Sequence, residues 1–464
     1  MELSGRKVSV LGAGKSGIAV AELLCREGAE VLVSELGRIG AKEISHLQEL
    51  QIPFEQEGHS ELVYDTDFCV ISPGISSYSP IVKTMQAKNI VLYSEIEIAA
   101  LFCKARVVGI TGTDGKTTTS TLIHRICEAD GILNGYKAFS VGNIGVPFSS
   151  MVQKMNFGDV AIVELSSYQL ERCFAFRPDI ALITNITPDH LDRYDFDLQK
   201  YANAKFRIYS NQGENDTLIY NEDDPMLREH FRVNQGLFPF RIMSFGMNSV
   251  PDRDTDRYTV FLDGDTIVAH TLNGYDRVAT VSDFLKNSFR GRHNIYNVLA
   301  AVSASKVLGI GNDVVRSVLR EFKGVEHRQE FVTTINGIDW INDSKATNIN
   351  AMRQALEAIP NMVVLIAGGR DKGNDYQSIA NLVREKVSLL VAFGESTVKI
   401  VSAFEGIVVV KSAESLEQAV SIAYKNALRG QTVMFSPGCA SFDMFENFEE
   451  RGKRFKQYVY HLQS

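Results

Sequence analysis

A short apolar run that breaks into glycines, a lysine and threonines and then resumes as a helix leaves a chain few choices of fold. Between Arg106 and Ala129 the sequence reads RVVGITGTDGKTTTSTLIHRICEA. Val107 to Ile110 predict a buried strand, Gly112 and Gly115 a tight turn, and Thr117 to Cys127 a helix with Leu122, Ile123 and Ile126 on one face. Such a loop aims backbone N–H groups and a helix N-terminus at a polyphosphate. Lys116 adds a mobile positive charge, and the Thr117 hydroxyl is placed for a magnesium ion. Gly112, Thr113, Asp114, Gly115, Lys116, Thr117 and Thr118 are therefore the candidate nucleotide-binding residues. The bland alternative is an ordinary glycine turn before a helix, against which Gly-Lys-Thr-Thr directly after a strand is a specific signal. Ile110 stands where the commonest phosphate-loop spacing has glycine, and Asp114 sets a carboxylate near phosphates, where it must face away or meet the metal.

A chain of 464 residues predicts about three domains. Its net charge of −8, with no basic run or arginine-rich stripe, argues against a nucleic-acid polyelectrolyte partner. The first residues lead straight into a strand without a signal-peptide pattern, and no apolar run is long enough to span a bilayer. Six cysteines lie scattered without CxxC pairing. The expectation is a cytoplasmic protein with reduced thiols and no membrane partner.

Lys7 to Leu11 predict a strand, Gly12 to Gly17 a G-x-G-x-x-G turn, Ile18 to Glu27 a helix, and Glu30 to Ser34 a strand ending at Glu35. This fingerprint fits a nicotinamide dinucleotide and fits a UDP-linked substrate equally, because either sets a diphosphate on a helix N-terminus. Phe68 to Ser72 form a further strand ending in Ser72-Pro73-Gly74-Ile75, again at the carboxyl end where open α/β sheets bind ligands. Gly14, Lys15, Ser16, Glu35, Ser72 and Gly74 are the substrate candidates of this region. Asn143 is the strongly polar side chain of a glycine-bounded loop, either a plain turn residue or a substrate contact.

Two later strands, Asp159 to Val163 and Ile180 to Ile186, deliver Glu164 and His190 to the same neighbourhood. Glu164 could cap the segment after it; a carboxylate at a strand end beside a phosphate loop is also placed to hold magnesium. Asp216 to Leu285 carries short β-rich runs and no obvious chemistry. Asn294 and Asn297 stand three apart at the start of a helix running to Leu308, so both can reach a nucleotide from one face, with N-capping by Asn294 as the competing use. Lys323 to Arg328 reads as a seam. Beyond it Ile338–Asn342, Val363–Ala367, Leu389–Phe393, Ile407–Val410 and Thr432–Ser436 predict strands of a doubly wound sheet, with polar loops after several of them.

The loop GTDGKTT, the run ELSSYQLE from Glu164, NITPDHLDRY from Asn185 and the C-terminal SPGCASFDMFENFEERG together resemble the Mur ligases, the ATP-dependent amide ligases of peptidoglycan precursor synthesis, on which cell shape and division depend. The resemblance implies an α/β chain of three domains: a Rossmann-like N-terminal domain over 1–104 for a UDP sugar, a central P-loop ATPase-like domain over 105–324, and a C-terminal Rossmann-like doubly wound domain over 325–464 for the amino acid, which also contacts ATP. It implies ATP with two magnesium ions, Thr117, Glu164, His190 and Lys205 being the metal-binding positions. Lys205 matches the family lysine that reacts with carbon dioxide to give a carbamate, with an ordinary exposed helical lysine as the alternative. Arg328 matches an arginine near the γ-phosphate, and Asp343 is a candidate to order Lys116, His190 or the nucleotide. Lys116, Glu164, His190, Lys205, Arg328 and Asp343 thus form the expected catalytic set. Lys345, Thr347, Lys372, Ser441, Phe442 and Phe448 match the amino-acid side, with UDP-N-acetylmuramoyl-L-alanine and D-glutamate as the implied substrates of a monomeric enzyme. The rivals are a ligase for another amino acid, an NAD-dependent oxidoreductase and a non-catalytic ATP-binding switch.

Overall fold

Short apolar strands alternating with amphipathic helices build three sheets. The structure, a computed structural model, describes residues 2–189, 191–234, 236–248, 258–271, 274–285, 292–371 and 373–463. The chain divides into two compact units. The first two sheets lie in one; the third, with the chain beyond Glu321, lies in the other.

In the first sheet β1 (Lys7–Leu11), β2 (Glu30–Ser34), β3 (Phe54–Glu55), β4 (Phe68–Ile71) and β5 (Leu92–Ser94) run parallel in the order β3-β2-β1-β4-β5. The chain moves outward from β1 to β3 and returns to β4 on the opposite side of β1. That reversal opens a crevice at the carboxyl ends of β1 and β4, where the Gly12–Gly17 and Ser72–Ile75 turns lie.

The second sheet contains β6 (Arg106–Thr111), β7 (Ala138–Gly142), β8 (Val160–Glu164), β9 (Ile180–Ile183), β10 (Thr217–Asn221), β11 (Arg241–Gly246), β12 (Tyr258–Asp263), β13 (Thr266–Thr271) and β14 (Gly274–Thr280). Their order is β14-β13-β12-β11-β10-β9-β6-β8-β7, parallel from β7 to β12, with β12, β13 and β14 an antiparallel meander at one edge. The β-rich stretch without chemistry extends this sheet. Because β6 lies between β8 and β9, the loop after β6 is flanked by the residues that end both neighbours. Helices Lys116–Asn134 and Arg292–Leu308 pack together over it. Glu97, buried in helix Glu95–Ala100, accepts the N–H groups of Ala175 (2.7 Å) and Phe176 (2.9 Å) and so ties the first two sheets together.

In the third sheet β15 (Glu330–Ile335), β16 (Ile338–Asn342), β17 (Val363–Gly368), β18 (Val387–Phe393), β19 (Val410–Ala413) and β20 (Thr432–Phe435) take the order β15-β16-β20-β17-β18-β19, with only the β15–β16 pair antiparallel. Helices cover both faces. Ile349, Met352, Leu356, Val383 and Ile400 fill one core, and Leu416, Val420, Phe455 and Val459 the other. The strand expected at Ile407–Val410 lies later, at Val410–Ala413: the Ile407 and Val408 N–H groups bond to Phe404 O and close the preceding helix instead.

Candidate active site

Sterics fix the glycine loop before any ligand is considered. Gly112 has φ +145° and a Cβ there would lie 1.9 Å from Thr184 Oγ1; Gly115 has φ +80°, caps helix Lys116–Asn134, and a Cβ there would lie 2.3 Å from Asn297 Oδ1. The residues just past β9 staple the loop. Asn185 Oδ1 accepts the Asp114 N–H (2.8 Å), Thr184 Oγ1 donates to Asp114 O (2.6 Å), and Thr113 Oγ1 accepts the Thr187 N–H (3.0 Å).

Two amines converge on one carbonyl. Lys116 Nζ donates to Gly112 O (2.8 Å) and Thr113 O (2.7 Å), and Lys205 Nζ donates to the same Gly112 O at 2.8 Å. Lys205, in helix Leu198–Phe206, is 1% exposed, so the exposed-lysine alternative is excluded. Its ammonium lies 4.5 Å from the centroid of the Tyr201 ring, four residues earlier on the same helix, and the Tyr201 hydroxyl is 3.2 Å from Thr113 Oγ1. Burial first, and then the Lys116 charge, hold the Lys205 amine well below the ordinary lysine range, against the pull of the Asp189 and Asp114 carboxylates. Asp114 is thus close enough to act on the Lys205 charge.

Glu164 ends β8 at 3% exposure. It does not cap the next segment: Ser166 and Gln169 form a capping box for helix Ser167–Leu170. Its carboxylate accepts from Asn143 Nδ2 (3.2 Å) and Ser120 Oγ (3.5 Å), and its carbonyl accepts the Asn143 N–H (2.8 Å). Asn143 therefore holds Glu164 from two sides, beside the first turns of the phosphate helix. Among the described residues no basic side chain pairs with Glu164. A buried carboxylate in that position suits a cation.

Asn294 and Asn297 are buried inside helix Arg292–Leu308, where Asn294 is the third residue and not the cap. Asn297 Nδ2 donates to Asn294 Oδ1 (3.2 Å), and Asn297 Oδ1 accepts from Thr119 Oγ1 (3.3 Å). Both asparagines are thereby tied to the helix that follows the glycine loop, in which Thr117 and Thr118 are buried.

Gly14, Lys15 and Ser16 open the helix after β1. Glu35 is committed to the same turn: its carboxylate accepts the Ala13 (2.8 Å) and Gly37 (3.0 Å) N–H groups. Across the crevice stand Ser72 and Gly74, with the Ser72 hydroxyl buried and, among the described residues, without a hydrogen-bond partner. His190 and Lys372 lie outside the described residues.

In the second unit, the loops after β16, β17 and β20 are knitted together. Gly438 N donates to Ala346 O (2.8 Å), Gly368 N to Pro437 O (3.0 Å), and Arg370 pairs with Ala440. Arg451, fully buried, binds the first and third of them: Nε donates to Ser344 Oγ (3.1 Å), Nη2 to Ser344 O (2.8 Å) and Nη1 to Cys439 O (3.0 Å). Burial draws its guanidinium down to about 10. This arginine lies inside the C-terminal run SPGCASFDMFENFEERG, but the sequence assigns it no role. Lys345 and Thr347 lie on the first of these loops, Ser441 is buried after the third, Phe442 is exposed, and half-buried Phe448 begins helix Phe448–His461 with its ring edge-on to His327. Arg328 sits between His327 (φ 63°) and Gln329 (φ 44°), two left-handed non-glycine residues; such conformations cost about 1–3 kcal/mol each and persist where surrounding bonds impose them. Here the His327 N–H donates to Glu330 Oε2 (2.9 Å) and the Lys345 N–H to His327 O (3.0 Å).

Asp343 accepts from Ser436 Oγ (2.8 Å) and the Gln329 N–H (3.1 Å), and burial pushes its carboxyl up to about 7 despite those donors and the Arg328 and Lys345 charges. The folded protein therefore holds this proton over a window in which the unfolded chain has lost it. The Asp343 contribution to stability falls as pH rises from about 4 to about 7 and is level above. Asp343→Asn removes that titration. The thermal midpoint of the variant minus that of wild type should rise as pH increases across this window, and a pH-independent difference would refute the assignment.

Comparison with known proteins finds three family signatures along the chain. Family signatures of the MurD N-terminal domain, the Mur ligase middle domain and the Mur ligase glutamate ligase domain match residues 7–81, 110–305 and 327–439. The UDP-N-acetylmuramoylalanine–D-glutamate ligase of Pelodictyon phaeoclathratiforme is 67% identical over 464 residues, covering 100% of both chains; that of Chlorobium phaeobacteroides is 59% identical with the same coverage. The crystal structure of UDP-N-acetylmuramate-alanine ligase from Thermotoga maritima has the same fold at a TM-score of 0.56 and 18% identity, over 99% of this chain and 100% of that one.

Proposed function

The chain belongs to the Mur ligase family, and from that premise we propose that it is an ATP-dependent amide ligase joining D-glutamate to UDP-N-acetylmuramoyl-L-alanine in peptidoglycan precursor synthesis. Full-length likeness to ligases named for D-glutamate supports the acceptor. The observation that carries the chemistry is the convergence of Lys116 and Lys205 on Gly112 O in a loop flanked by Glu164.

In this reaction the terminal carboxylate of the sugar-nucleotide substrate attacks the γ-phosphorus, the bond to ADP breaks, and an acyl phosphate forms. The Lys116 ammonium offsets charge on the transferring group, and Arg328 is assigned the same task by resemblance. The neutral amine of D-glutamate then adds to the acyl carbon to form the C–N bond, the acyl C–O bond breaks to release phosphate, and the nitrogen gives up a proton to yield the amide. Lys345, Thr347, Lys372, Ser441, Phe442 and Phe448 are assigned to the amino acid, and Asp343 to ordering the charged groups.

The donor set fits magnesium: the Glu164 carboxylate and Thr117 hydroxyl are hard oxygen ligands, with His190 and a carbamate on Lys205 completing the proposed positions. Magnesium, when bound, would neutralise phosphate oxygens. The depressed Lys205 amine favours the neutral form, which can add carbon dioxide: a new N–C bond forms, a proton leaves, and an ammonium becomes an oxygen donor.

We place the enzyme in the cytoplasm as a monomer without membrane or nucleic-acid partners; among the described residues no helix is long and apolar enough to cross a membrane. Phosphate release should depend on D-glutamate and on no other member of a panel of L- and D-amino acids. Equal release with a different amino acid would overturn the acceptor. Release indifferent to all of them would favour the ATP-binding switch, and bound nicotinamide absorbance the oxidoreductase.

A further inference from the structure

The run after His190 does more than lead to the Lys205 helix. Arg193 ends the short helix Leu191–Arg193 and reaches into the first domain: Nη1 donates to Pro73 O (3.3 Å) and Nη2 to Ile75 O (3.2 Å). One guanidinium thus spans both carbonyls around Gly74. Its face lies 3.7 Å from the centroid of the Tyr168 ring, four residues past Glu164. Tyr168 stacks on Tyr194 (6.3 Å, 10°), Tyr194 meets Tyr201 edge-on (5.3 Å, 62°), and Tyr201 reaches Thr113 of the phosphate loop.

The corner that presents Arg193 is strained. Asp195 (φ 54°) and Phe196 (φ 58°) are consecutive left-handed non-glycine residues, and Phe196 is exposed, so no core packing of its ring explains the conformation. Asp195 spends its carboxylate on the same part of the first domain, accepting from the Tyr78 hydroxyl at 2.7 Å, while Lys200 donates to its other oxygen at 2.7 Å. Arg193 and Asp195 therefore both grip the segment from Ser72 to Ser79, which carries the buried Ser72 hydroxyl, without a hydrogen-bond partner among the described residues.

We propose that Arg193 is a positioning residue which, with Asp195, fixes the Ser72–Ser79 segment against the phosphate-loop domain, so that the sugar nucleotide is held in register for attack by its carboxylate. The proposal rests on the proposed ligase activity. No step of that activity used Arg193, and its planar fork is what bridging two carbonyls while stacking on a ring requires.

The test combines kinetics with amide hydrogen exchange in the protein without substrates. Arg193→Ala should speed exchange of amides in 72–79 and raise KM for UDP-N-acetylmuramoyl-L-alanine about tenfold or more, leaving KM for ATP and for D-glutamate within about twofold. Arg193→Lys should fall between, because an ammonium keeps a donor for the carbonyls but loses the planar face that stacks on Tyr168. Tyr78→Phe, which removes only a hydroxyl, should act in the same direction more weakly and remains informative if Arg193→Ala does not fold. An unchanged KM for the sugar nucleotide overturns the proposal, whether or not exchange rises. So does an equal rise in all three KM values with a lowered Tm, which is the mark of a merely structural residue. Wild-type protein that releases no phosphate would sink the ligase activity instead, and exchange at 72–79 would still decide whether Arg193 holds the segment.

Discussion

Lys205→Ala should lower turnover at least about a thousandfold, equivalent to roughly 4 kcal/mol of transition-state stabilisation, and added formate or acetate should restore part of it. The expectation comes from burial. Lys205 is enclosed, its amine held by the Gly112 carbonyl and the Tyr201 ring, and its charged form is disfavoured by lost hydration and by Lys116. A lysine kept only to bond a carbonyl would gain nothing from being made hard to protonate. A lysine that must react as a neutral amine does, because the lone pair adds to carbon dioxide. Alanine leaves a cavity lined by the same groups, and a short carboxylate in it would present oxygens where the carbamate oxygens are proposed to lie. Phosphate release with and without added carboxylate is the measurement. Full activity of Lys205→Ala without rescue would exclude an essential carbamate.

How far the sequence reaches depends on whether the deciding contact is local. The strand, glycine loop and helix around Lys116 are legible because Gly112 and Gly115 sit in backbone conformations that side chains resist, and a strand and a helix adjoin them directly. Strand ends such as Glu164 are legible for the same reason: an apolar run stops and a carboxylate comes next. What Glu164 does is less so: only the fold shows that Ser166, and not Glu164, caps the next helix. The run at Ile407 to Val410 could not be divided between helix closure and strand, because each begins with apolar residues. The burial of Lys205 was hidden. Helix Leu198–Phe206 carries Gln199, Lys200 and Asn203 as well, and only packing against a loop 93 residues away puts Lys205 inside. Arg193 and Arg451 stand inside the runs NITPDHLDRY and SPGCASFDMFENFEERG, but what they hold escaped for the same cause: their partners lie 118–120 and 12–107 residues away in sequence.

Lys116→Ala should reduce turnover to less than about a thousandth of wild type, by two routes that can be separated. The direct route is loss of the ammonium that offsets charge on the transferring phosphoryl group. The indirect route passes through Lys205. The Lys116 charge is one of the two influences that depress the Lys205 amine, so its removal lets that amine rise toward its ordinary range. At a fixed pH below that range a smaller share of Lys205 is then neutral, and less of it can take up carbon dioxide. With ¹³C-labelled bicarbonate, a carbamate resonance should be present in wild type, weaker in Lys116→Ala at the same pH, and absent in Lys205→Ala. Raising the pH should recover the resonance in Lys116→Ala without recovering turnover, since the direct contribution is still missing. Because both amines share Gly112 O, the double variant should lose less than the product of the two single losses. Residual turnover of Lys116→Ala above about a tenth of wild type would remove the phosphate-loop assignment, and a resonance of unchanged strength would show that the two lysines are electrostatically independent.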